Sequence, residues 1–486
     1  MTATSSAGAS LLHARSRASG ASDAGELVAA VVARARNAQR AVDGYTQAQA
    51  DELALAAAWA IMEPSRNLAL AELAVRDTGL GNVDDKIAKN HRKTLGLMRD
   101  LKGAKTVGIV HESPERGLTE IARPVGVVAA ITPSTNPGAT PANKIINALV
   151  CRNAVIVAPS PKGHSTGAML VDFVRAELEK IGAPMDLVQI LPAPVARDAT
   201  YALMKQVDLV VATGSQANVR AAYESGTPAF GVGAGNVASI VDADADVDRA
   251  AGLIARSKTF DNATSCSSEN SVVIVDAVYN TMIAALERAG GAMLAGDEKS
   301  KLQMRMWPEG KLASTFTAQS APKIAALAGL DREALQEARF LMVEEMSTGQ
   351  DFPFSGEKLS PVLTVYRVTN FGEACRRVRE IYSYQGAGHS VSYHGGDDGN
   401  VLDLALDLPV ARVIVNQAHA IATGGSFDNG LPFSLSMGCG TWGRNSFSDN
   451  LHYRHYLNIT RIARPIPERV PTLDDIFGDY FARHGR

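Results

Sequence analysis

The sequence predicts an α/β protein built around a doubly wound parallel sheet. Two observations support this prediction. Helical patterns fill most of the first hundred residues, and from about Val125 onward short apolar runs alternate with helical patterns. Strands of a parallel sheet are covered on both faces, so they read as continuous apolar runs. Ligands of such sheets bind at the carboxyl ends of the strands, and candidate functional residues are therefore sought there.

The N-terminal segment MTATSSAGASLLHARSRASG is rich in Ser, Ala and Arg and has no acidic residue before Asp23. Its residues do not form the pattern of an amphipathic helix or the apolar region of a secretory signal, so we expect a flexible tail and not a transit peptide. From Asp23 to Leu97, apolar residues recur at three- and four-residue spacing, which predicts helices. From Thr106 to Arg123, two short strands around a Pro-Glu-Arg-Gly turn predict a hairpin, a candidate oligomerisation flap.

Four apolar runs predict the strands of the first sheet: VGVVAAITP from Val125, NAVIVAP from Asn153, LVQILP from Leu187 and DLVVATGS from Asp208. The helix after the first run, TPANKIINALV, is expected to use Thr140 as its N-cap and Pro141 as its first helical residue. A second α/β region is predicted from about Ala238 to Gly430. The tail beyond it contains an extended segment, YLNITRIARPIP, suited to pair as a strand with another subunit.

Composition excludes several classes of function. The formal net charge of -3 and the absence of a Lys/Arg block argue against a general nucleic-acid binder. No apolar run approaches the length of a membrane span. The four cysteines lie far apart, without a CxxC motif or zinc-site spacing, so we expect free thiols, a reducing cytoplasmic setting and no metal.

One cysteine lies in a setting that differs from the usual core. Cys266 is flanked by small polar residues in the stretch TFDNATSCSSEN, between a helical pattern and the strand-like run SVVIVDAVY. A thiol on a loop between two ordered elements can be held rigidly and still meet a substrate. A buried structural cysteine is the common alternative. These twelve residues alone do not decide between the two.

Other motifs lie at the predicted strand ends. The first strand ends in ITPSTNPG, where Asn136 offers an amide donor, although a structural turn would look the same. The second ends in APSPKGHS, where Ser160 and Lys162 are positioned to meet an adenosine ribose or to be solvated. After the fourth strand, free N–H groups at Thr213, Gly214 and Ser215 would suit a phosphate. GVGAGN leads into a strand and not a helix, so we reject it as a phosphate fingerprint.

Three further residues stand out in the second half of the chain. Glu357 precedes a strand in GEKLSPVL, and His389 lies between glycines and a strand in YQGAGHSVSYH. A lone Glu or His is usually structural or solvent-facing. Arg444 belongs to the turn-rich loop GCGTWGRNSFSDN and is suited either to pair a surface carboxylate or to meet an anionic ligand.

Together these residues resemble the aldehyde dehydrogenase superfamily, and within it the CoA-acylating branch. The likeness runs from about residue 20 to 465 and is carried by seven strings in the same order. They are ITPSTNP, ATGS, AFGVGAGN, SKTFDNATSCSSE, EKLSPVL, GAGHS and GCGTWGRNS. The resemblance implies a Rossmann-type cofactor domain, an α/β catalytic domain and a small oligomerisation flap.

The domain boundaries that follow are expectations. Residues 1–20 form a disordered tail and 21–237 a dinucleotide-binding domain, with the flap at about 106–123. Residues 238–430 form the catalytic domain, and 431–486 a return segment and oligomerisation tail. The resemblance also implies a homo-oligomer, a dimer or a tetramer, without nucleic-acid or membrane partners.

The family resemblance implies a role for each matching residue. Cys266 corresponds to the nucleophile, which forms a thiohemiacetal and then a thioester. The Asn136 side chain and the Cys266 backbone N–H would hold the oxyanion. Glu357 resembles the carboxylate that holds the nicotinamide ribose, and His389 a histidine beside the thiol that handles protons. The remaining expected cofactor contacts, already named or at the same strand ends, are Thr132, Ser134, Ser160, Lys162, Thr213, Gly214, Ser215 and Gly233.

One departure bears on the second half-reaction. Hydrolytic members of the family carry a Glu-Leu-Gly-Gly-Lys motif whose glutamate activates water against the thioester. Counting back from Cys266 places Val232 at that glutamate's position. Valine cannot act as a base, so coenzyme A is expected to intercept the thioester, giving acyl-CoA in place of a free acid.

The substrate expectation rests on NPGATPAN, APSPKG and YQGAGHS, which look most like the sulfoacetaldehyde-using acylating enzymes; acetaldehyde enzymes are the alternative. Arg444 and Arg412 are the candidate cations for a sulfonate, or else ion-pair residues. Pro161 stands where NAD-preferring relatives carry a ribose-binding carboxylate, and Lys162 lies beside it, so NADP is preferred and NAD stays open. A cysteine hydrolase and a phosphate-dependent semialdehyde dehydrogenase are the rival functions.

Overall fold

The computed structural model describes residues 6–486, with side chains from residue 24 onward. Residues 1–5 of the expected tail lie outside this range. The first helix begins at Ser6, so the tail is helical where it is described, in keeping with the high helix propensity of its alanines. Within residues 6–486, no helix is both long and apolar enough to cross a bilayer.

The N-terminal third begins with helices and a hairpin. The helices are α1 (Ser6–Val42), α2 (Gln47–Met62), α3 (Pro64–Thr78) and α4 (Val83–Leu101). The hairpin consists of β1 (Gly108–Ser113) and β2 (Leu118–Pro124), which pair antiparallel.

The first sheet is parallel and five-stranded, in the order β5-β4-β3-β6-β7. Every residue of its two central predicted strands, β3 and β4, is buried, as expected for strands covered by helices on both faces. Its elements are β3 (Val127–Thr132), α5 (Ala139–Val150), β4 (Ala154–Pro159), α6 (His164–Lys180), β5 (Val188–Ile190), α7 (Arg197–Gln206), β6 (Leu209–Thr213), α8 (Gln216–Glu224) and β7 (Ala229–Val232).

The second sheet is parallel and seven-stranded, in the order β10-β11-β12-β9-β8-β13-β14. Its elements are β8 (Val237–Val241), α9 (Val247–Thr259), β9 (Glu269–Val275), α10 (Tyr279–Arg288), β10 (Gly291–Met293), α11 (Gly296–Met306), α12 (Ala321–Ala328), α13 (Glu333–Gln336), β11 (Phe340–Glu344), β12 (Val362–Val368), α14 (Phe371–Tyr384), β13 (Val391–His394), α15 (Asp398–Asp407), β14 (Val413–Val415) and α16 (His419–Ala422).

The chain ends with β15 (Leu457–Ala463) and α17 (Leu473–His484). β15 pairs antiparallel with β2 of the same chain, from Leu457 opposite Pro124 to Ala463 opposite Leu118. One edge of β15 is thus occupied by the hairpin of its own chain, and its other edge is the outer edge of the three-stranded sheet β1-β2-β15, so pairing of this segment with another subunit stays a prediction.

The prediction that Thr140 is the N-cap of α5 is wrong. α5 begins at Ala139, and its N-cap is Gly138, which makes no side-chain hydrogen bond. Thr140 consequently lies inside the first turn, where its side chain is free to line a cavity.

The site lies between the carboxyl ends of strands in the first sheet and the amino ends of strands in the second sheet. β3 and β6 are neighbours although α5, β4, α6, β5 and α7 separate them in sequence, and the strand order of the first sheet reverses between them. Crevices form at such points. β7 ends at Val232 and β8 begins at Val237, so the carboxyl edge of the first sheet leads directly to the amino edge of the second.

Candidate active site

A cavity of about 330 Å³ lies where the two sheets meet. Most of its walls come from the loops after β3 and β6, the loop between β7 and β8, and the loop before β9. The lining includes Pro133, Ser134, Thr135, Asn136, Thr140, Thr213, Gly214, Ser215, Gln216, Gly233, Ala234, Thr264, Ser265, Cys266, Glu357, Leu359, Leu435 and Met437. Seven sequence-predicted site residues besides Cys266 thus share one cavity.

Cys266 lies on a tight loop between α9 and β9. Ahead of it, Asp261, Asn262 and Ala263 have φ values of 51°, 50° and 58°, so three consecutive residues adopt the left-handed conformation. Such backbone is costly outside glycine and persists where surrounding contacts impose it. Cys266 as a residue is partly exposed, whereas Cys151, Cys375 and Cys439 are buried. The backbone of Gly235 packs against the backbone of Cys266, since a Cβ on Gly235 would lie 2.3 Å from the Cys266 carbonyl oxygen.

The thiol has a histidine partner. Sγ of Cys266 lies 3.3 Å from Nε2 of His389, whose Nδ1 lies 2.6 Å from the hydroxyl oxygen of Ser390. Burial raises the pKa of Cys266 to about 12, and the nearby Glu357 carboxylate acts in the same direction. Burial also lowers the pKa of His389 well below its ordinary value. At neutral pH the resting pair is therefore a thiol and a neutral imidazole, which can accept the thiol proton.

The amide of Asn136 is fixed by a residue that sequence analysis missed. Nζ of Lys89, on α4, donates to Oδ1 of Asn136 at 2.7 Å. Because lysine only donates, the amide oxygen must face Lys89, and the NH₂ group is left for the cavity. The available signal was the spacing of Lys86, Lys89 and Lys93, which recur at three- and four-residue intervals on one face of α4.

Glu357 lies ahead of β12 and faces the cavity. Its Oε1 accepts a hydrogen bond from the backbone N–H of Gly235 at 3.1 Å. Burial raises its pKa to about 8, although that hydrogen bond acts in the opposite direction. The side chain is thus mostly a protonated carboxyl group near pH 7, able to donate as well as to accept hydrogen bonds.

The cavity also contains features that suit a dinucleotide. Ser215 caps α8 by accepting from the N–H of Asn218 at 3.3 Å, so the N-terminus of this helix opens toward the lining residues Thr213 and Gly214. Gly214 has a φ of 148°, and a Cβ on Gly233 would lie 1.8 Å from Nε2 of Gln216. No atom lies closer than 3.8 Å to the missing Cβ of Gly214, so a phosphate can approach its backbone at the start of α8, whereas the space beside Gly233 is occupied by the Gln216 side chain.

The comparison with protein families agrees with this geometry. The model described as the aldehyde dehydrogenase family matches residues 16–430. The chain belongs to the aldehyde dehydrogenase family. The resemblance stated from the sequence motifs is thereby confirmed, together with the predicted α/β architecture.

Curated relatives and a solved structure are similar over nearly the whole chain. A sulfoacetaldehyde dehydrogenase (acylating) of Cupriavidus necator is 66% identical over 463 residues, which cover 95% of this chain and 94% of the relative. A succinate-semialdehyde dehydrogenase (acetylating) of Clostridium kluyveri is 39% identical, with coverage of 92% and 98%. The crystal structure of an acetylating aldehyde dehydrogenase from Geobacillus thermoglucosidasius has a TM-score of 0.89 at 34% identity, with coverage of 93% and 99%.

Three residues predicted to contact the cofactor, Thr132, Ser160 and Lys162, do not line the cavity that contains Cys266. Thr132 ends β3, is buried, and its hydroxyl has no hydrogen-bond partner among the described residues. Ser160 follows β4, and its N–H donates to the Thr132 carbonyl at 2.9 Å. Lys162 is exposed in the turn that follows. They line the neighbouring strand ends and not the space around the thiol.

The prediction that Arg412 could meet the substrate anion is wrong. Its side chain is buried, and its Nε donates to Oδ1 of Asn450 at 2.7 Å. The remaining contacts are to the carbonyl oxygens of Gly438, His389 and Ser448, at 2.9, 3.2 and 3.3 Å. With its donors directed at these groups, the guanidinium holds a loop together and is not presented to a ligand.

Arg444 is exposed and lies outside the cavity that contains Cys266. It lines an adjacent chamber of about 330 Å³, which shares Gln216, Gly233 and Ala234 with that cavity. Its φ of 56° is left-handed, and its N–H closes a turn onto the Thr441 carbonyl. The two chambers therefore share a wall, and Arg444 lines the chamber that does not contain Cys266.

Proposed function

We propose that the protein oxidises a short aldehyde, sulfoacetaldehyde, with coenzyme A and NADP⁺ or NAD⁺ to the acyl-CoA, through a thioester on Cys266. The observation that carries the proposal is the pair formed by the Cys266 thiol and His389 at 3.3 Å, facing a cavity that also contains Asn136. The substrate is inferred from the relative of Cupriavidus necator, because 66% identity spans nearly both chains.

In the first step the neutral imidazole of His389 accepts the proton of the Cys266 thiol. The thiolate sulfur then forms a bond to the aldehyde carbon, and the carbonyl electron pair moves to the oxygen. The NH₂ group of Asn136 and the backbone N–H of Cys266 are the donors for that oxyanion. Preorganised donors of this type contribute a large share of the rate enhancement in acyl chemistry.

A nicotinamide cofactor bound in this cavity would supply the hydride acceptor. Ser134, Thr213, Gly214, Ser215 and Gly233 would contact the dinucleotide, and Glu357 would hold its ribose, all from cavity-lining positions. Loss of hydride from the aldehyde carbon leaves a thioester on the chain's sulfur. His389 then releases its proton to solvent, which accounts for the proton formed in the overall reaction.

Val232 is the basis for proposing an acyl-CoA product. Its side chain ends β7, is only 4% exposed and is absent from the cavity lining. An aliphatic group at the position of the hydrolytic base leaves water without activation. The thiol of coenzyme A, deprotonated by His389, attacks the thioester instead. The departing Cys266 thiolate recovers the proton from the imidazolium.

The NADP preference rests on Pro161 and Lys162, which provide no carboxylate to repel a 2′-phosphate and one exposed cation to attract it. Self-association rests on the tail, where apolar side chains of the segment before α17 and of α17 itself are exposed. These are Ile466, Val470, Leu473, Ile476, Phe477 and Tyr480. Surfaces of this kind are typical of contacts between copies.

The test is an assay of aldehydes with coenzyme A and each nicotinamide, following reduced cofactor by absorbance and acyl-CoA by mass. Sulfoacetaldehyde is expected to have the highest kcat/KM. If acetaldehyde is preferred, the second candidate holds; it is supported by the likeness to the acetylating aldehyde dehydrogenase of Geobacillus thermoglucosidasius, which covers 93% of this chain and 99% of that one. Dependence on phosphate in place of coenzyme A would refute the acylating reaction.

A further inference from the structure

Helix α4 directs two ammonium groups into the interior beside the active site. The side chains of Lys86 and Lys89 are 5% and 6% exposed. Both Nζ atoms contact the same carboxylate oxygen, Oδ2 of Asp261, at 3.1 and 2.5 Å. Burying charges is costly unless they are paired and hydrogen-bonded, so this cluster persists because its members satisfy one another.

Asp261 is the residue that joins the cluster to the nucleophile loop. It is fully buried and is the first of the left-handed residues ahead of Cys266. Its Oδ1 accepts from the N–H of Asn82 at 3.0 Å, and its Oδ2 also accepts from the Thr264 hydroxyl at 2.7 Å. Although burial alone would raise the pKa of Asp261, the two lysines hold it below its ordinary value. The carboxylate is thus ionised and fixes the loop to α4.

The ammonium group of Lys89 donates hydrogen bonds to three different side chains of the site. They are directed to Oδ2 of Asp261 at 2.5 Å, to Oδ1 of Asn136 at 2.7 Å and to Oγ1 of Thr264 at 3.1 Å. An ammonium group has three donors, so this geometry exhausts it. One side chain consequently contacts the proposed oxyanion amide and, through Asp261 and Thr264, the loop that carries the second oxyanion donor, the Cys266 N–H.

We propose that Lys89 is a positioning residue that sets the amide of Asn136 with its NH₂ group toward the aldehyde oxygen. The inference rests on the proposed roles of Cys266 and Asn136. Without Lys89, either orientation of the amide is available, and one of them presents a carbonyl oxygen to the developing oxyanion. The positive charge beside Oδ1 also polarises the amide, which makes its N–H groups better donors.

The experiment replaces Lys89 with methionine, which keeps the length of the side chain and removes its donors. Removal of a whole oxyanion donor costs about 10²–10³ in kcat. Loss of its orientation should therefore lower kcat about 10- to 100-fold, with KM for the aldehyde changed less than about threefold. The alkylation rate of Cys266 by iodoacetamide should stay within about twofold of the wild type, because that reaction does not use Asn136.

Lys93→Met is the matched control. Lys93 lies one turn further along α4, is buried, and donates to the carbonyl oxygen of Gly424 at 2.6 Å. It makes no contact with Asn136, so its loss should leave kcat within about twofold while removing a buried lysine from the same helix. If Lys89→Met does not fold, Lys89→Gln, which keeps a donor, replaces it, with a loss of about three- to tenfold.

A double-mutant cycle decides whether Lys89 acts through Asn136. In the Asn136→Ala background, Lys89→Met should lower kcat by less than about twofold. Additive losses, or an alkylation rate that falls as far as kcat, would show that Lys89 only supports the loop and would overturn the inference. An active Cys266→Ala variant would instead refute the proposed function, and wild-type kcat in Lys89→Met would refute the positioning role alone.

Discussion

The sulfur of Cys266 and Nε2 of His389 lie 3.3 Å apart, and burial keeps both groups uncharged at rest. A raised thiol pKa means that the thiolate is a minor species at neutral pH. A lowered imidazole pKa means that His389 is an uncharged, weak base at neutral pH, whose unprotonated nitrogen is available to the thiol proton. The nucleophile is therefore generated at the moment of attack and is not stored as an ion pair.

This arrangement predicts a pH dependence for alkylation of the free enzyme. With a thiol pKa of about 12, the thiolate fraction rises about tenfold per pH unit throughout the accessible range. The iodoacetamide rate constant should therefore increase from pH 7 to 10 without a plateau, measured by mass spectrometry of the peptide containing Cys266. A plateau between pH 7 and 9 would contradict the neutral pair and indicate a stored thiolate.

Cys266→Ala is expected to abolish aldehyde oxidation while leaving the fold and dinucleotide binding intact, because the side chain packs no core and supplies the only proposed nucleophile. Reduced cofactor formation and cofactor fluorescence quenching measure the two properties. Cys375→Ala is the control, since Cys375 is a buried cysteine of α14 that does not line the cavity. Turnover by Cys266→Ala near the wild-type rate would exclude the thioester route.

The strands were predictable from sequence because the apolar run that marks a buried strand lies within the strand itself. Runs such as AVIVAP bury every residue, and a parallel sheet requires that pattern. The buried face of α4 was not predictable in the same way. Lys89 is buried only because Asp261, 172 residues away, supplies its counter-charge. Apolar periodicity cannot mark a face whose burial depends on a distant partner.

Some residues of the candidate site were likewise predictable from sequence, and others were not. Motif resemblance singled out Cys266, Asn136, Glu357 and His389, and these residues lie close together because each is near a strand end whose position the fold determines; their roles stay predictions. The substrate cations were harder to place from sequence. Arg412 comes immediately before β14 in sequence, yet a loop from the C-terminal region folds over it and accepts hydrogen bonds from its guanidinium.

Arg412→Met is predicted to act on stability and on both aldehydes alike. The change removes the donors to Asn450, Gly438 and Ser448 and leaves buried acceptors without partners. Each such loss costs about 1–3 kcal/mol, so the free energy of unfolding should fall by at least about 3 kcal/mol. Urea denaturation gives that value. A stable variant that selectively loses sulfoacetaldehyde turnover would reinstate Arg412 as a substrate contact.

Product formation is expected to require coenzyme A. Because Val232 provides no base, the thioester should persist until a thiol arrives, and without coenzyme A one equivalent of reduced cofactor per active site should form in a burst. Stopped-flow absorbance measures the burst, and intact-protein mass spectrometry should show the acyl group on Cys266. Sustained release of the free acid without coenzyme A is the result that this proposal does not allow.

Arg444→Gly separates a substrate role from a structural one. The left-handed φ of 56° at Arg444 costs a non-glycine residue about 1 kcal/mol, so glycine should raise Tm slightly. If Arg444 attracts a sulfonate from the adjacent chamber, kcat/KM for sulfoacetaldehyde should fall. The loss should be only about two- to fivefold, because Arg444 is exposed and solvent screens its charge. Acetaldehyde provides the control for Arg444→Gly, since this aldehyde carries no charge and the variant should oxidise it at an unchanged rate. Raising the salt concentration should weaken sulfoacetaldehyde turnover by the wild type and leave that of Arg444→Gly nearly constant. Equal losses on both aldehydes, together with a lower Tm, would identify Arg444 as a residue of the loop and not of the substrate site.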